Sequence, residues 1–152
     1  MADQVKSPVG IEDLPIPRSV PVCRILLVDD FEPWRRSVCS MLRAHEQLRI
    51  VGGAVDGLEA VQKAQELRPD LVLLDIGLPN LNGIEAARRI GQVVPDAKIL
   101  FLSQNNNMDV VRVALKDGVH GYVVKAAAGR ELLPAIGTIL RGQKFLSSQL
   151  NQ

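Results

Sequence analysis

Arg24-Ile25-Leu26-Leu27-Val28-Asp29-Asp30 is a short apolar run that ends in two acidic residues. Three later runs have the same form, an apolar stretch followed at once by a polar residue, and they span residues 71–75, 98–103 and 121–125. Short apolar runs of this kind are typical of buried parallel strands. In an open α/β sheet, ligands bind at the carboxyl ends of the strands. We therefore expect three carboxylates, a hydroxyl and an ammonium to meet at one edge of one sheet.

The composition is that of an ordinary globular protein. The chain has 152 residues, of which 47% are hydrophobic and 23% charged, and a net charge of +1. This balance gives no electrostatic reason to expect binding to nucleic acid or to an anionic membrane. Cys23 and Cys39 fit neither a disulfide framework nor a CxxC metal motif. No apolar stretch approaches the roughly 20 residues of a membrane span, and there is no signal-peptide pattern, so we expect a cytoplasmic protein.

The chain divides into three parts by composition. Residues 1–21 contain four prolines and no sustained hydrophobic period, which predicts an extended or disordered tail. Residues 22–146 are expected to form the single folded domain. Residues 147–152 are expected to be a C-terminal tail or the start of a linker.

Strands and helices alternate throughout the predicted domain. The predicted strands cover residues 24–29, 49–55, 71–75, 98–103 and 121–124. Two of the five predicted helices begin near Pro33 and Gly83. The other three cover residues 57–67, 108–117 and 130–141. Five consecutive strand–helix units predict a parallel sheet with helices on both faces. The chain has no GxGxxG motif and no P-loop, which argues against a dinucleotide or nucleotide site.

The polar residues at the predicted strand ends favour phosphate chemistry. Asp29, Asp30 and Asp75 would repel one another without a cation, and an all-oxygen set suits Mg²⁺ or Mn²⁺ better than zinc. Lys125 can pair with a carboxylate or with a phosphoryl oxygen, and Ser103 can donate a hydrogen bond to the same oxygen. An aspartate in these surroundings can act as a nucleophile towards phosphorus.

The same residues form a recognisable set of motifs. The motifs are Leu27-Val28-Asp29-Asp30, Leu74-Asp75 with Leu78-Pro79 and Asn82-Gly83, Leu102-Ser103, and Gly121-Tyr122-Val123-Val124-Lys125. Over about residues 23–146 the chain resembles the receiver domain of bacterial two-component response regulators. The resemblance implies a flavodoxin-like (CheY-like) doubly wound sheet of five parallel strands in the order 2-1-3-4-5, with helices on both faces.

The resemblance also implies a role for each site residue. Asp75 is similar to the phosphoacceptor and to a metal ligand of the family. Asp30 resembles a direct Mg²⁺ ligand, Asp29 a ligand acting directly or through water, and the Gly77 backbone carbonyl a further protein ligand. No other cofactor is expected.

Three more residues resemble the family's switch. Ser103 is similar to the hydroxyl that turns towards the phosphoryl group, and Lys125 to the lysine that pairs with it. Tyr122 resembles the aromatic residue whose rotamer follows that hydroxyl. The resemblance therefore implies a phosphoacceptor that assists its own phosphorylation and dephosphorylation, rather than a conventional enzyme.

The stretch 110–122 resembles receivers of the NarL/FixJ group, which usually carry a C-terminal LuxR-type helix-turn-helix. The expected partners are a sensor histidine kinase and, through the face of helix 4, strand 5 and helix 5, an output partner or a second copy in a homodimer. The resemblance therefore implies a role in transcription regulation. DNA would be contacted only through an output domain, because this chain shows no recognition helix.

Two alternatives stay open at this point. One is a degenerate receiver that binds partners without phosphorylation, favoured mildly by the long side chain of Gln104 next to Ser103. The other is an enzyme, either a Mg²⁺-dependent phosphatase or a flavodoxin-like oxidoreductase. Adjacent aspartates do not match the Asp-x-Asp of haloacid-dehalogenase-type phosphatases, and Asp29 and Asp30 would repel a flavin phosphate.

Overall fold

The computed structural model describes residues 21–150; the predicted tail lies almost entirely outside these residues, as do Asn151 and Gln152. The described strands are β1 (Cys23–Val28), β2 (Leu48–Ala54), β3 (Leu71–Leu74), β4 (Lys98–Ser103), β5 (Gly121–Val124) and β6 (Phe145–Leu146). The α-helices are α1 (Glu32–Arg43), α2 (Gly57–Leu67), α3 (Gly83–Val93), α4 (Met108–Ala114) and α5 (Ala128–Leu140). Short 3-10 turns cover Lys125–Ala127 and Ser148–Leu150.

All strands of the sheet are parallel, in the order β2-β1-β3-β4-β5-β6. The predicted flavodoxin-like architecture is confirmed, and the first five strands follow the predicted order. The four strands that end in the conspicuous polar residues are consecutive neighbours, β1, β3, β4 and β5. Their carboxyl ends therefore lie side by side.

The prediction of five strands was wrong, because β6 adds a sixth next to β5. β6 has only two residues, too few for any hydrophobic period to show. It is held by backbone hydrogen bonds from Phe145 N–H to the His120 carbonyl (3.1 Å) and from Ser147 N–H to the Tyr122 carbonyl (2.8 Å). These bonds occupy the edge of β5 that would otherwise be unpaired.

Two helix boundaries also differ from the prediction. α4 ends at Ala114 rather than at residue 117, and the chain then turns through Asp117 and Gly118, both with positive φ (60° and 80°). Left-handed residues of this kind end a helix and redirect the chain, here towards β5. α5 begins at Ala128 rather than at residue 130, because a 3-10 turn leads directly into it.

Alternate residues of each strand enter two hydrophobic clusters on opposite faces of the sheet. In β1, Leu26 and Val28 face the cluster covered by α2, α3 and α4, whereas Ile25 and Leu27 face the cluster covered by α1 and α5. Burial on both faces explains why the strands read as continuous apolar runs. Among residues 21–150, no helix combines the length and apolarity needed to cross a membrane.

The start of α3 fixes the backbone next to Asp75. The Asn82 side chain accepts a hydrogen bond from Glu85 N–H (3.0 Å) and caps the helix. A Cβ atom at Gly83 would lie 1.8 Å from the Asp75 carbonyl oxygen, so only glycine permits this approach. The Asn82-Gly83 pair therefore seats the helix directly against the phosphoacceptor candidate.

Candidate functional site

The polar residues predicted to converge do so. Asp29 follows β1, Asp75 follows β3, Ser103 is the last residue of β4, and Lys125 follows β5. All four line one open cleft of about 660 Å³, whose other lining residues are Asp30, Phe31, Ile76, Gly77, Gln104 and Asn105. Every predicted metal ligand, together with the predicted switch residue Ser103 and with Lys125, therefore lines the same cleft.

Lys125 joins the two buried carboxylates. Its Nζ lies 2.6 Å from Asp29 Oδ2 and 3.4 Å from Asp75 Oδ2, and its side chain is only 11% exposed. A largely desolvated ammonium at these distances interacts with both carboxylates far more strongly than a surface ion pair would. One positive charge thus faces two of the three acidic side chains.

The acidic cluster has the chemistry of a hard-cation site. Carboxylate oxygens of Asp29, Asp30 and Asp75 all lie within 4.8 Å of one another. Asp29 is buried and Asp30 exposed, so the cluster extends from the floor of the cleft to its mouth. With three carboxylates and one ammonium the cluster keeps an excess of negative charge, and oxygen donors without histidine or cysteine fit Mg²⁺ or Mn²⁺.

Backbone amides fix one oxygen of each buried carboxylate. Phe31 N–H donates to Asp29 Oδ1 (2.9 Å), and Ile76 N–H donates to Asp75 Oδ1 (2.8 Å). Burial raises the pKa of the Asp29 carboxyl above its ordinary value of 3.8, while the hydrogen bonds from Lys125 and from Phe31 N–H oppose the shift. Asp29 therefore takes up a proton at a higher pH than an ordinary aspartate.

Tyr122 lies behind the cleft, not on its lining. The side chain is fully buried, with its ring centroid 6.0 Å from that of Phe101. Its hydroxyl donates to the Asn105 carbonyl (2.6 Å), while Asn105 N–H donates to Ser103 Oγ (3.1 Å). Burial raises the pKa of the Tyr122 phenol, and its hydrogen bond with Ser103 opposes that shift. The loop after β4 thus links Tyr122 to Ser103.

Residues 25–137 match the response regulator receiver domain family. This chain belongs to that family. Response regulator GacA of Pseudomonas viridiflava is 35% identical over 129 residues, 85% of this chain and 60% of that protein. Transcriptional regulatory protein LnrK of Bacillus subtilis is 33% identical over 127 residues, 84% of this chain and 58% of that protein.

A solved structure of a related protein has the same fold. The crystal structure of a LuxR-family two-component response regulator from Aurantimonas sp. SI85-9A1 matches with a TM-score of 0.81 and 33% identity, covering 85% of this chain and 92% of that one. The relatives place this receiver in the NarL/FixJ type, as predicted. The chain spans about 60% of the length of its curated relatives. Receivers are signalling domains rather than conventional enzymes, and acidic residues are what they use to bind Mg²⁺.

Trp34 is the receiver residue whose relation to the site was missed. Trp34 recurs with Val38 and Leu42 at helical spacing, a pattern typical of a core position. In the structure, however, Lys125 Nζ lies 5.3 Å from the centroid of its ring. The next residue, Arg35, donates from Nη1 to the Asp29 carbonyl (2.5 Å). Their place in the sequence could have indicated this, because both residues lie in the first turns of the helix that directly follows the two aspartates.

Proposed function

We propose that this receiver is a phosphorylation-dependent switch in which Asp75 accepts the phosphoryl group. The observation that carries the proposal is the placement of Lys125 between Asp29 and Asp75 at the floor of an open acidic cleft. The lysine supplies a fixed positive charge where a phosphoryl group on Asp75 would bring negative charge. Positioning and charge neutralisation are most of what a protein contributes to phosphoryl transfer.

The same cleft has the ligands for a divalent cation. Asp29, Asp30 and Asp75 would hold Mg²⁺ or Mn²⁺ through carboxylate oxygens, with the Gly77 backbone carbonyl as a further ligand from the same cleft wall. When bound, the cation neutralises the charge on the phosphoryl oxygens and offsets the repulsion among the three carboxylates. Its oxygen ligands are those that both metals prefer.

In the transfer step, a carboxylate oxygen of Asp75 attacks phosphorus and a new P–O bond forms. The P–N bond to the phosphohistidine of a sensor histidine kinase breaks, and its electron pair remains on the imidazole nitrogen. Ile76 N–H holds Asp75 Oδ1, which orients the carboxylate as the bond forms. Lys125 lies beside Oδ2 and can pair with the transferred group.

The switch is proposed to run through the loop after β4. Ser103 would turn towards the phosphoryl group and give up the hydrogen bond that it accepts from Asn105 N–H. The Asn105 carbonyl in turn accepts a hydrogen bond from the Tyr122 hydroxyl, so a change at Asn105 reaches Tyr122. Tyr122 then repacks, which shifts the balance between two conformations of the face formed by α4, β5 and α5. β6 borders this face, because it pairs with β5 through Gly121 and Tyr122.

The proposed readout is an output partner or a homodimer that controls transcription. Support comes from LnrK, a relative that is named as a transcriptional regulatory protein. DNA would be bound through an output domain rather than by the receiver itself. A receiver working without phosphorylation is less well supported, because the acidic cluster, Ser103 and Lys125 are all present in one cleft.

The test is intact-mass spectrometry after incubation with acetyl phosphate, with and without Mg²⁺. The expected result is one phosphoryl adduct that requires Mg²⁺ and disappears in Asp75→Asn. Asp70→Asn is the matched control, because Asp70 is an exposed aspartate that precedes β3 and lies away from the cleft. A folded protein without any adduct would contradict the proposal and favour the phosphorylation-independent interaction module.

A further inference from the structure

Lys125 has a third neighbour besides the two carboxylates. Its ammonium lies 5.3 Å from the ring centroid of Trp34, within the range of a cation–π contact. The lysine side chain is 11% exposed, so this contact is largely shielded from water. Cation–π attraction is stronger in a desolvated setting than on an open surface.

The indole brings a disadvantage that a phenyl ring would not have. Trp34 Nε1 is buried, and among the buried side-chain nitrogen and oxygen atoms of residues 21–150 it is the one without a hydrogen-bond partner. A buried N–H group without a partner destabilises a fold. Phenylalanine could cover the same apolar neighbours without this group. The indole ring, however, binds a cation more strongly than a phenyl ring does.

The ring is held in a fixed relation to the acidic cluster. The backbone N–H of Trp34 donates to the Phe31 carbonyl (3.1 Å), and the backbone N–H of Phe31 donates to Asp29 Oδ1 (2.9 Å). The Trp34 side chain also packs against the core cluster that α1 and α5 cover. The aromatic face of Trp34 and the Asp29 carboxylate therefore both lie next to the same ammonium.

We propose that Trp34 is a positioning residue that holds the Lys125 ammonium for phosphoryl transfer to Asp75. The inference rests on the function proposed above. Asp29 and Asp75 are expected to change their net charge when metal or a phosphoryl group arrives, which changes their attraction for Lys125. The uncharged aromatic ring does not change in this way. It keeps the ammonium at the cleft floor while the surrounding charges are rearranged.

The first test compares Trp34→Phe, which keeps a weaker aromatic face, with Trp34→Leu, which keeps only an apolar side chain. Met41→Ala is the control, because Met41 lies on the same helix and packs against the same cluster. With acetyl phosphate and Mg²⁺, we expect Trp34→Leu to be phosphorylated roughly threefold to tenfold more slowly than wild type, the factor a cation–π contact of ordinary strength supplies. Trp34→Phe should be intermediate, and Met41→Ala should lose stability but keep the wild-type rate.

A second readout examines the contact itself, without phosphorylation. In the NMR spectrum, the Lys125 ε-methylene protons should be shifted upfield by the indole ring current in wild type. They should return to ordinary values in Trp34→Leu, and they should be unchanged in Met41→Ala. Urea unfolding of each variant checks that the protein remains folded.

The outcomes separate the two proposals. A wild-type phosphorylation rate in folded Trp34→Leu, or ordinary Lys125 shifts in wild type, would overturn the positioning role and leave the phosphoacceptor proposal intact. If wild type itself takes up no phosphoryl group, the proposed function is overturned and the role of Trp34 in transfer falls with it. Slowed transfer that Trp34→Phe partly restores, together with a ring-current shift, would support the positioning role.

Discussion

The Lys125 ammonium and the Asp29 carboxylate form an ion pair with 2.6 Å between Nζ and Oδ2. The corresponding distance to Asp75 is longer, at 3.4 Å. In this state the lysine is therefore bound more closely to a candidate metal ligand than to the candidate phosphoacceptor. A cation that binds Asp29 has to share that carboxylate with Lys125.

Replacing Lys125 by methionine should strengthen Mg²⁺ binding while slowing phosphorylation. The variant removes a positive charge beside two of the three ligands, so we expect the Kd for Mg²⁺ to fall roughly threefold to tenfold. Titration calorimetry measures this directly. Lys116→Met, at an exposed position outside the cleft, should bind Mg²⁺ like wild type. Unchanged or weaker binding in Lys125→Met would show that the lysine does not compete for the site.

Stability should depend on pH through Asp29. Because folding raises the pKa of this carboxyl above 3.8, the folded protein holds the proton more tightly than the unfolded chain does. Without metal, the free energy of unfolding should therefore lose a contribution as pH rises from that value through the raised pKa. Asp29→Asn should remove this slope. Urea unfolding at a series of pH values measures it, and an identical slope in the variant would contradict the assignment to Asp29.

Mg²⁺ should stabilise the folded protein at neutral pH and lose this effect on acidification. At a concentration tenfold above Kd, the gain in the free energy of unfolding should be about 1.4 kcal/mol. Because a proton on Asp29 competes with the cation, and its pKa is raised by burial, the gain should disappear at a higher pH than the pKa of an ordinary aspartate would give. Thermal unfolding with and without Mg²⁺ checks this. A gain that persists unchanged into the acid range would argue against Asp29 as a ligand.

Tyr122→Phe should loosen the loop after β4 without disturbing the core. The variant leaves the Asn105 carbonyl without the Tyr122 hydroxyl, at an expected loss of about 1 kcal/mol in the free energy of unfolding. Amide hydrogen exchange at Asn105 and Asn107 should become faster, whereas exchange in β2 should stay as in wild type. Unaltered exchange in the loop would mean that the hydroxyl does not hold it.

Glu131 should hold the segment that follows β6. Its carboxylate in α5 accepts hydrogen bonds from Ser147 Oγ (2.5 Å) and Ser148 N–H (3.1 Å). Burial acts to raise the pKa of Glu131, but these hydrogen bonds lower it overall, so this stabilisation is present above the ordinary pKa of 4.5 and lost as pH falls through the lowered value.

Glu131→Ala should therefore lower the free energy of unfolding by about 2 kcal/mol at neutral pH, the size expected for charge-assisted hydrogen bonds. It should also expose residues 147–150 to proteolysis. Gln143→Ala, at an exposed position just before β6, is the control. If the two variants were equally stable and equally resistant, the segment would have to be held by other contacts, such as the burial of Leu150.

The sequence predicted the convergence of the polar side chains in one cleft, but it predicted the sheet only in part. Asp29, Asp75, Ser103 and Lys125 could be found because each interrupts an apolar run at a strand end, which is a local pattern. Neighbouring parallel strands then bring those ends together. β6 could not be found in this way, because a two-residue strand is defined by its partner and not by any period of its own.

The contact between Trp34 and Lys125 was hidden for a different reason. A tryptophan at helical spacing looks like a core residue, and Trp34 does pack against the core. Only the three-dimensional structure shows that the same ring also faces an ammonium that follows β5, far along the chain. The early end of α4 was missed similarly, because Leu115 continues the apolar pattern while Asp117 takes a left-handed conformation that this pattern does not reveal.

Mapping the modified residue shows whether Asp75 carries the phosphoryl group. After reaction with acetyl phosphate and Mg²⁺, borohydride reduces an aspartyl phosphate to homoserine, which peptide mass spectrometry can locate. We expect homoserine at position 75 and at no other aspartate, with none formed when Mg²⁺ is omitted. Homoserine at Asp29 or Asp30 instead, or none in folded protein with Mg²⁺ present, would contradict it.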